Sequence, residues 1–502
     1  MKPEDLSDAM SYLDDEIIEN AEKSRIKQKK NKKRWIKWVA VAACFCLVVV
    51  GVAGHFNRIP PDNGGFGGNP NATKNNSPIV NFLSYKISEA EYPETVEYPQ
   101  DDNFMGLGGV DWEDFSTAMD NWQKSDETRL KQRADIENYA SFLTASIKIF
   151  FSGNKDNLVY SPINVYLALS MLAETTDNNT RNQILDLLGT DSVETLRTNA
   201  NKLWLSNYID DGVTTSVLAN SVWLDKDIEY NKSTLDVLAE NYFASSFKGE
   251  MGSDGYNKAL QNWLDDQTGG LLKNEASKME FTDQTVLGLA STVYFKARWD
   301  TEFNEVNTKP DTFNGRNGAQ TVDFMNHTIS SDFYTDNNYS AYAMRFSNYS
   351  SKMWLILPNE GITPEILIEN GDIDPILTGG KPKNIHEYIR VNISMPKFDV
   401  SSSLDLKGNL KKLGVTDVFE LGKADFSPAF NGSAYVSQIQ HSARVTVDEE
   451  GCTAAAFTVI AADGTAAPKN DEVDFKLDRP FIFVITADDS TPLFVGTVNN
   501  VK

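Results

Sequence analysis

Seventeen consecutive residues, Trp38 to Gly54, read WVAVAACFCLVVVGVAG and carry no charge. Few folded destinations suit such a run. With Trp35, Ile36 and a snorkelling Lys37 it reaches about 20 residues, the length that crosses bilayer hydrocarbon as a helix. Nine basic residues lie between Lys23 and Lys37, and basic flanks stay on the cytoplasmic side. The expectation is a single-pass anchor over 35–54, a cytoplasmic segment 1–34, and an extracellular bulk held at the cell membrane. The "VAAC" of Val41–Cys44 loosely fits a lipoprotein cleavage box as well, which would leave a lipidated Cys44. A cleaved secretion signal fits less well because the charged leader is long. A buried core helix is the plain alternative, and the one-sided polybasic flank speaks against it.

Arg58–Pro78 (RIPPDNGGFGGNPNATKNNSP) is rich in Pro, Gly and Asn, so 55–130 reads as a flexible tether. Periodicity becomes regular after it, which places one domain over 131–502. IENYASFLTASIKIFF has helical spacing. NLVYSPINVYLALSMLA starts as a strand, breaks at Ser161-Pro162 and continues as a helix with Pro in its first turn. TRNQILDLL is a helix that ends at Gly189. TSVLANSVWLD, QTVLGLASTVYFKARW, MWLILP and YIRVNISMPKFDV read as strands, SLDLKGNLKKLGV as a helix, and PFIFVITADDSTPLFVGTVNNV as a hairpin. Helices fill the first third of the domain and strands the rest, an α+β class.

The chain has 502 residues and a formal charge of −24. Acidity of that size argues against nucleic acid or an anionic membrane surface as partner of the bulk; a monomer is expected. Of three cysteines, Cys44 and Cys46 sit in the apolar run and Cys452 stands alone, so no disulfide framework is expected. The four histidines, His55, His327, His386 and His441, form no H-E-x-x-H. C-x-x-C and G-x-S-x-G are missing too, so no zinc site or elbow serine is indicated. Gly379–Pro382 (GGKP) lacks the spacing of a phosphate loop. The acids beside Cys452 raise a thiol pKa rather than lower it. Asp448, Glu449 and Glu450 read as a solvated turn. Neither an enzyme, a metal nor a cofactor is expected.

The stretch EEGCTAAAFT (Glu449–Thr458) places an acidic pair, a Gly, and then small residues between two strand-forming runs. That order resembles the hinge of the serpins, the serine protease inhibitor family. The resemblance extends over nearly all of 135–502. NLVYSPINVYLALSML resembles that family's Ser-Pro helix entry, and NWLDDQTGGLL (Asn262–Leu272) its Asn-Trp helix motif. STVYFKARWDTEF (Ser291–Phe303) is similar to the strand whose Trp marks where the reactive loop begins to insert. ADFSPAF, AYVSQIQHSARVTVDEEG and DRPFIFVITADDSTPLFVGTV follow in the family order.

The resemblance implies N-terminal helices, a large central sheet, further sheets and an exposed reactive-centre loop. It implies a suicide inhibitor: a serine protease cuts the loop, an acyl-enzyme forms, and the loop's N-terminal part enters the sheet as a new strand. A segment that is solvated first and buried later is best served by small side chains on one face. On insertion Cys452, Ala454, Ala456 and Thr458 would face inward, and Thr453, Ala455 and Phe457 outward, with Gly451 as the hinge. Cys452 and Phe457 depart from the family's usual Thr and Ala. The resemblance assigns Ser161, Asn164, Asn262, Trp299 and His441 to the shutter and breach of the sheet; Asn164 stands where Ser is common. Counting from Gly451 puts the reactive bond at Thr465–Ala466, and counting back from FKLDRPF puts it at Ala466–Ala467. Small residues surround both, so elastase-like or subtilisin-like proteases are the expected partners. The alternatives are a non-inhibitory binding or substrate protein of the same fold, and a membrane protein signalling through its cytoplasmic head.

Overall fold

The branched and aromatic residues of Thr285–Ala297 (TVLGLASTVYFKA) leave neither face polar, and a strand of that kind is stable only between two covering layers. The computed structural model describes residues 40–52, 82–100, 104–106, 109–132, 137–347, 351–449 and 471–501. In it this strand lies inside a large sheet. The sheet contains β1 (Ala40–Gly51), β2 (Lys86–Ser88), β3 (Thr215–Asp225), β4 (Ala244–Gly249), β5 (Thr285–Ala297), β6 (Phe398–Asp405) and β7 (Tyr435–Val447). Their order across the sheet is β6–β7–β1–β5–β3–β4–β2. A second sheet carries the hairpin Phe481–Thr486 with Pro492–Val498, flanked by Lys352–Pro358 and Leu158–Tyr160.

The main core includes Val159, Leu167, Val293, Ala443 and Phe483. Helix α2 (Pro162–Glu174) runs through it with every residue buried, which its PINVYLALSMLAE sequence permits because almost no position is charged. On the opposite face of the large sheet lies helix α3 (Asp254–Gln267). Its cap is Ser253, whose side chain accepts from Tyr256 N. Tyr256, Ala259, Leu260, Trp263 and Leu264 form its buried stripe, packed with Trp223 and Phe281 in a second apolar cluster.

The segment expected to cross a membrane is a strand. No helix among the described residues is long and apolar enough to span one. Ala40–Gly51 instead pairs antiparallel with β7 on one edge and with β5 on the other. This overturns the helical anchor over 35–54, and with it the single-pass cell-membrane placement with a cytoplasmic N-terminus and an extracellular domain. The physical reason is shared chemistry, because a strand buried on both faces needs the same uncharged run as a membrane helix. The β-branched Val41, Val48, Val49 and Val50 suit an extended backbone.

The stretch expected to be a flexible tether over 55–130 is ordered in its second half. Phe82–Tyr85 is a 3-10 turn, β2 joins the sheet edge beside β4, and Trp112–Leu130 is helix α1. Asp111 caps α1 by accepting from the Glu113 and Asp114 amides. At the far end Arg129 pairs with Asp126 and Asp488 at 2.5 Å, and Trp122 donates to Asp211. The helix read into SLDLKGNLKKLGV is confined to Lys407–Lys412, because the residues before it stay extended as β6, where Leu404 pairs with His441 of β7.

Candidate functional site

β5 and β7 are both antiparallel to β1 and therefore parallel to each other, so the sheet between them is a slot one strand wide. At mid-slot Cys46 pairs with His441 on one side and Ser291 on the other. Beneath it begins α2, with Pro162 in its first turn. The Ser161 amide donates to His441 Nε2 at 3.2 Å, and Asn164 Nδ2 donates to Ser291 Oγ at 3.0 Å. Ser161, Asn164, Ser291 and His441 are fully buried. Burial pushes the His441 pKa down to about 3, only partly opposed by the Phe45 carbonyl, so the ring is neutral at ordinary pH and its Nε2 acts as an acceptor. Ser161 Oγ and Asn164 Oδ1 find no hydrogen-bond partner, although buried polar groups normally do.

The slot's other working end is where β7 finishes. Trp299, just past β5, stacks on Phe346 with centroids 4.8 Å apart and donates from Nε1 to the Asp448 carbonyl at 2.9 Å. The Phe303 amide donates to the Glu449 carbonyl at 3.1 Å. The Glu449 carboxylate is buried, accepts from Thr308 at 2.6 Å, and pairs with Lys397 Nζ at 2.6 Å. Burial alone would raise its pKa; Lys397 and Thr308 outweigh that and hold it below the usual carboxylate value. The chain leaving β7 is thus clamped on both of its last described carbonyls.

β1 fills the slot on both faces. Cys46, Val48 and Val50 join the main core, and Phe45, Leu47 and Val49 join the cluster beneath α3. Each large side chain so buried stabilises by about 1.5–3 kcal/mol. Ser437 Oγ donates to the Val49 carbonyl at 3.1 Å, and the Val52 amide to Gln284.

Ser161, Asn164 and His441 come together at mid-slot, and Trp299 stands where β7 ends. Asn262 is not brought to either group: it is half-buried on α3, across the sheet from α2. Of the expected hinge, only Glu449 is described. Glu450, Gly451, Cys452, Thr453, Ala454, Ala455, Ala456, Phe457 and Thr458 lie outside the described residues, as do Thr465, Ala466 and Ala467 of the expected reactive bond. Thr308, Lys397 and Ser291 were not singled out as site residues from the sequence. The first two reach Glu449 from 141 and 52 positions away, a contact that no local pattern announces. Among the described residues no cluster of metal-ligating side chains is found.

The family model described as serpin (serine protease inhibitor) matches residues 140–501. Serpin-Z10 of Arabidopsis thaliana is 30% identical over 389 residues, covering 72% of this chain and 97% of that protein. A protein named serine protease inhibitor from Cyanea capillata is 28% identical, over 69% of this chain and 93% of its own. Among solved structures, native tengpin, a thermophilic serpin, superposes with a TM-score of 0.63 at 28% identity, covering 73% of this chain and 94% of its own. Thyroxine-binding globulin with thyroxine shares the fold with a TM-score of 0.61 at 19% identity, over 73% of this chain and 98% of its own.

Proposed function

Because the chain belongs to the serpin family and carries a one-strand slot beside the segment that leaves β7, we propose that it inhibits serine proteases by loop cleavage and strand insertion. The observation that carries this reading is the paired clamp on Asp448 and Glu449. It fixes the end of β7, beyond which the sequence reads EGCTAAAFT. A protease serine attacks the carbonyl of Thr465 or Ala466, an ester forms, and the next residue leaves with a new α-amine. Water would complete hydrolysis unless the freed N-terminal half enters the slot first and drags the ester-linked protease with it. Small side chains around that bond suit elastase-like or subtilisin-like specificity pockets.

The slot holds β1 in this structure, which favours a second reading: a non-inhibitory serpin whose loop is cut without being inserted. The two are separated by incubating the chain with elastase, both as it is and with Val48→Asp, where a carboxylate replaces an inward apolar side chain of β1. An SDS-stable species of summed mass in either chain supports inhibition. Complete cleavage with no such species in both removes it and leaves the non-inhibitory reading.

A further inference from the structure

Residues 41–49 of β1 pair with β7 in an uninterrupted register, Val41 with Thr446 through Cys46 with His441 to Val49 with Gln438. Suppose instead that the chain reversed after Val447 through a turn at 448–451. Cys452 would then oppose Val447, Thr453 would oppose Thr446, and Thr458 would oppose His441. Seated so, the loop would run in the direction of β1 through the same positions, and the two sequences correspond. Val41, Ala42, Ala43 and Cys44 stand where Thr453, Ala454, Ala455 and Ala456 would. Phe45 matches Phe457, Cys46 matches Thr458, Leu47 matches Val459, and Val48 matches Ile460. Phe457 is one of the loop's two departures from the family pattern, and β1 carries the same ring at the same register, packed beneath α3.

Two differences set the segments apart. Further along, β1 has Val49 where the loop has Ala461; the register then shifts, so that Val50 pairs with Val436, the partner that uninterrupted counting gives to Asp463. β1 therefore buries more apolar surface in that end of the slot. At mid-slot, β1 brings Cys46 between His441 and Ser291, while Ser161 Oγ and Asn164 Oδ1 beneath them lack partners. The hydroxyl of Thr458 at that register is a group of the kind these atoms lack.

We propose that Ala40–Gly51 is a built-in stand-in for the reactive loop. It keeps the slot between β5 and β7 filled, so the chain is cut as a substrate while β1 is seated and accepts its own loop only after β1 has left. This rests on the insertion reading above. A slot with both edges paired has no free backbone donors for a newcomer, and the two occupants exclude each other.

The test uses the full chain and two readouts. Cys46 is fully buried, so iodoacetamide should modify it at least about 100-fold more slowly in the native chain than in urea, followed by peptide mass spectrometry. Modification at the unfolded rate overturns the proposal without touching the inhibitor reading. Second, the loop is cut by elastase in the native chain and in Val48→Asp, and both the melting temperature and the covalent fraction are measured. The proposal expects a rise in melting temperature after cutting only in Val48→Asp, with a covalent fraction at least about 10-fold above that of the native chain. Equal rises, or covalent fractions that are equal and above zero, overturn the gate, and the inhibitor is kept wherever a covalent species forms. A rise confined to Val48→Asp with no covalent species keeps the gate and overturns inhibition. No rise in either chain overturns both. A Val48→Asp chain that fails to fold leaves the Cys46 rate to decide for or against the gate.

Discussion

At mid-slot, Ser161, Asn164, Ser291 and His441 are sealed from water and carry no charge, and the histidine is held neutral by its surroundings. Where β7 ends, Glu449 and Lys397 form an ion pair whose lysine side chain is 40% exposed while the carboxylate is 6% exposed. The first region is held by packing and neutral hydrogen bonds; the second is held by charge and by an aromatic stack. On the proposed insertion reading a strand is released at a hinge, and a partly solvated ion pair is cheaper to rearrange than a dry core. Mid-slot is dry with β1 seated in it, and its four polar side chains include none that would be charged at neutral pH.

The sharpest way to break this contrast is Trp299→Ala. It removes both the Phe346 stack and the donor to Asp448 from a side chain that is nearly fully buried. The expected cost is about 3–5 kcal/mol in urea unfolding, with increased proteolysis near the loop base. A cost near zero would mean the clamp is decorative.

The next largest effect is the pH response of mid-slot. His441 has a folded pKa of about 3, below its ordinary value of 6.5, so the unfolded chain binds the extra proton first. Its contribution is complete above 6.5 and is lost as pH falls towards 3, with a slope on the order of 1.4 kcal/mol per pH unit. Unfolding by urea at pH 7, 6 and 5 should show this decline, and His441→Asn should flatten it. An equal slope in the variant would assign the decline to other groups.

Asn164→Ala comes third. It deletes the bond to Ser291 Oγ in a buried site, at an expected cost of about 1–3 kcal/mol in the same titration; a stabilised variant would show that the bond does not offset the burial of the amide. The smallest effect is expected from Lys397→Ala, about 1 kcal/mol in stability and weaker in high salt. Glu449 has a lowered pKa, so its contribution is present above its ordinary value of 4.5 and is lost as pH falls through the folded value. Removing Lys397 should shift that loss to higher pH, and an unchanged acid limb would contradict the pairing.

Much of this molecule was readable residue by residue. TSVLANSVWLD is β3 with the same limits, MWLILP is a strand, the C-terminal hairpin is present, and Ser161-Pro162 does open a buried helix. These segments carry either two-sided apolar runs bounded by turn residues or a proline fixed at a helix start. The apolar run at Ala40–Gly51 misled because hydrophobicity without alternation does not separate a membrane helix from a strand buried on both faces. The four valines were the signal for the strand. Helix α1 was passed over although Asp111, the acids after it and Arg129 in its last turn mark a capped helix. Its weak apolar stripe hid them. The Glu449 clamp was not legible at all, since it depends on where the sheet brings Thr308 and Lys397.

The central claim is that the slot between β5 and β7 takes one strand, and that the cut loop can be that strand. The most direct measurement is the melting temperature of the Val48→Asp chain before and after a single cut within 451–470. The account predicts a rise of roughly 10 °C or more, from the cut segment being buried as a strand. An unchanged melting temperature, in a chain whose loop is shown by mass spectrometry to be cut, would contradict it.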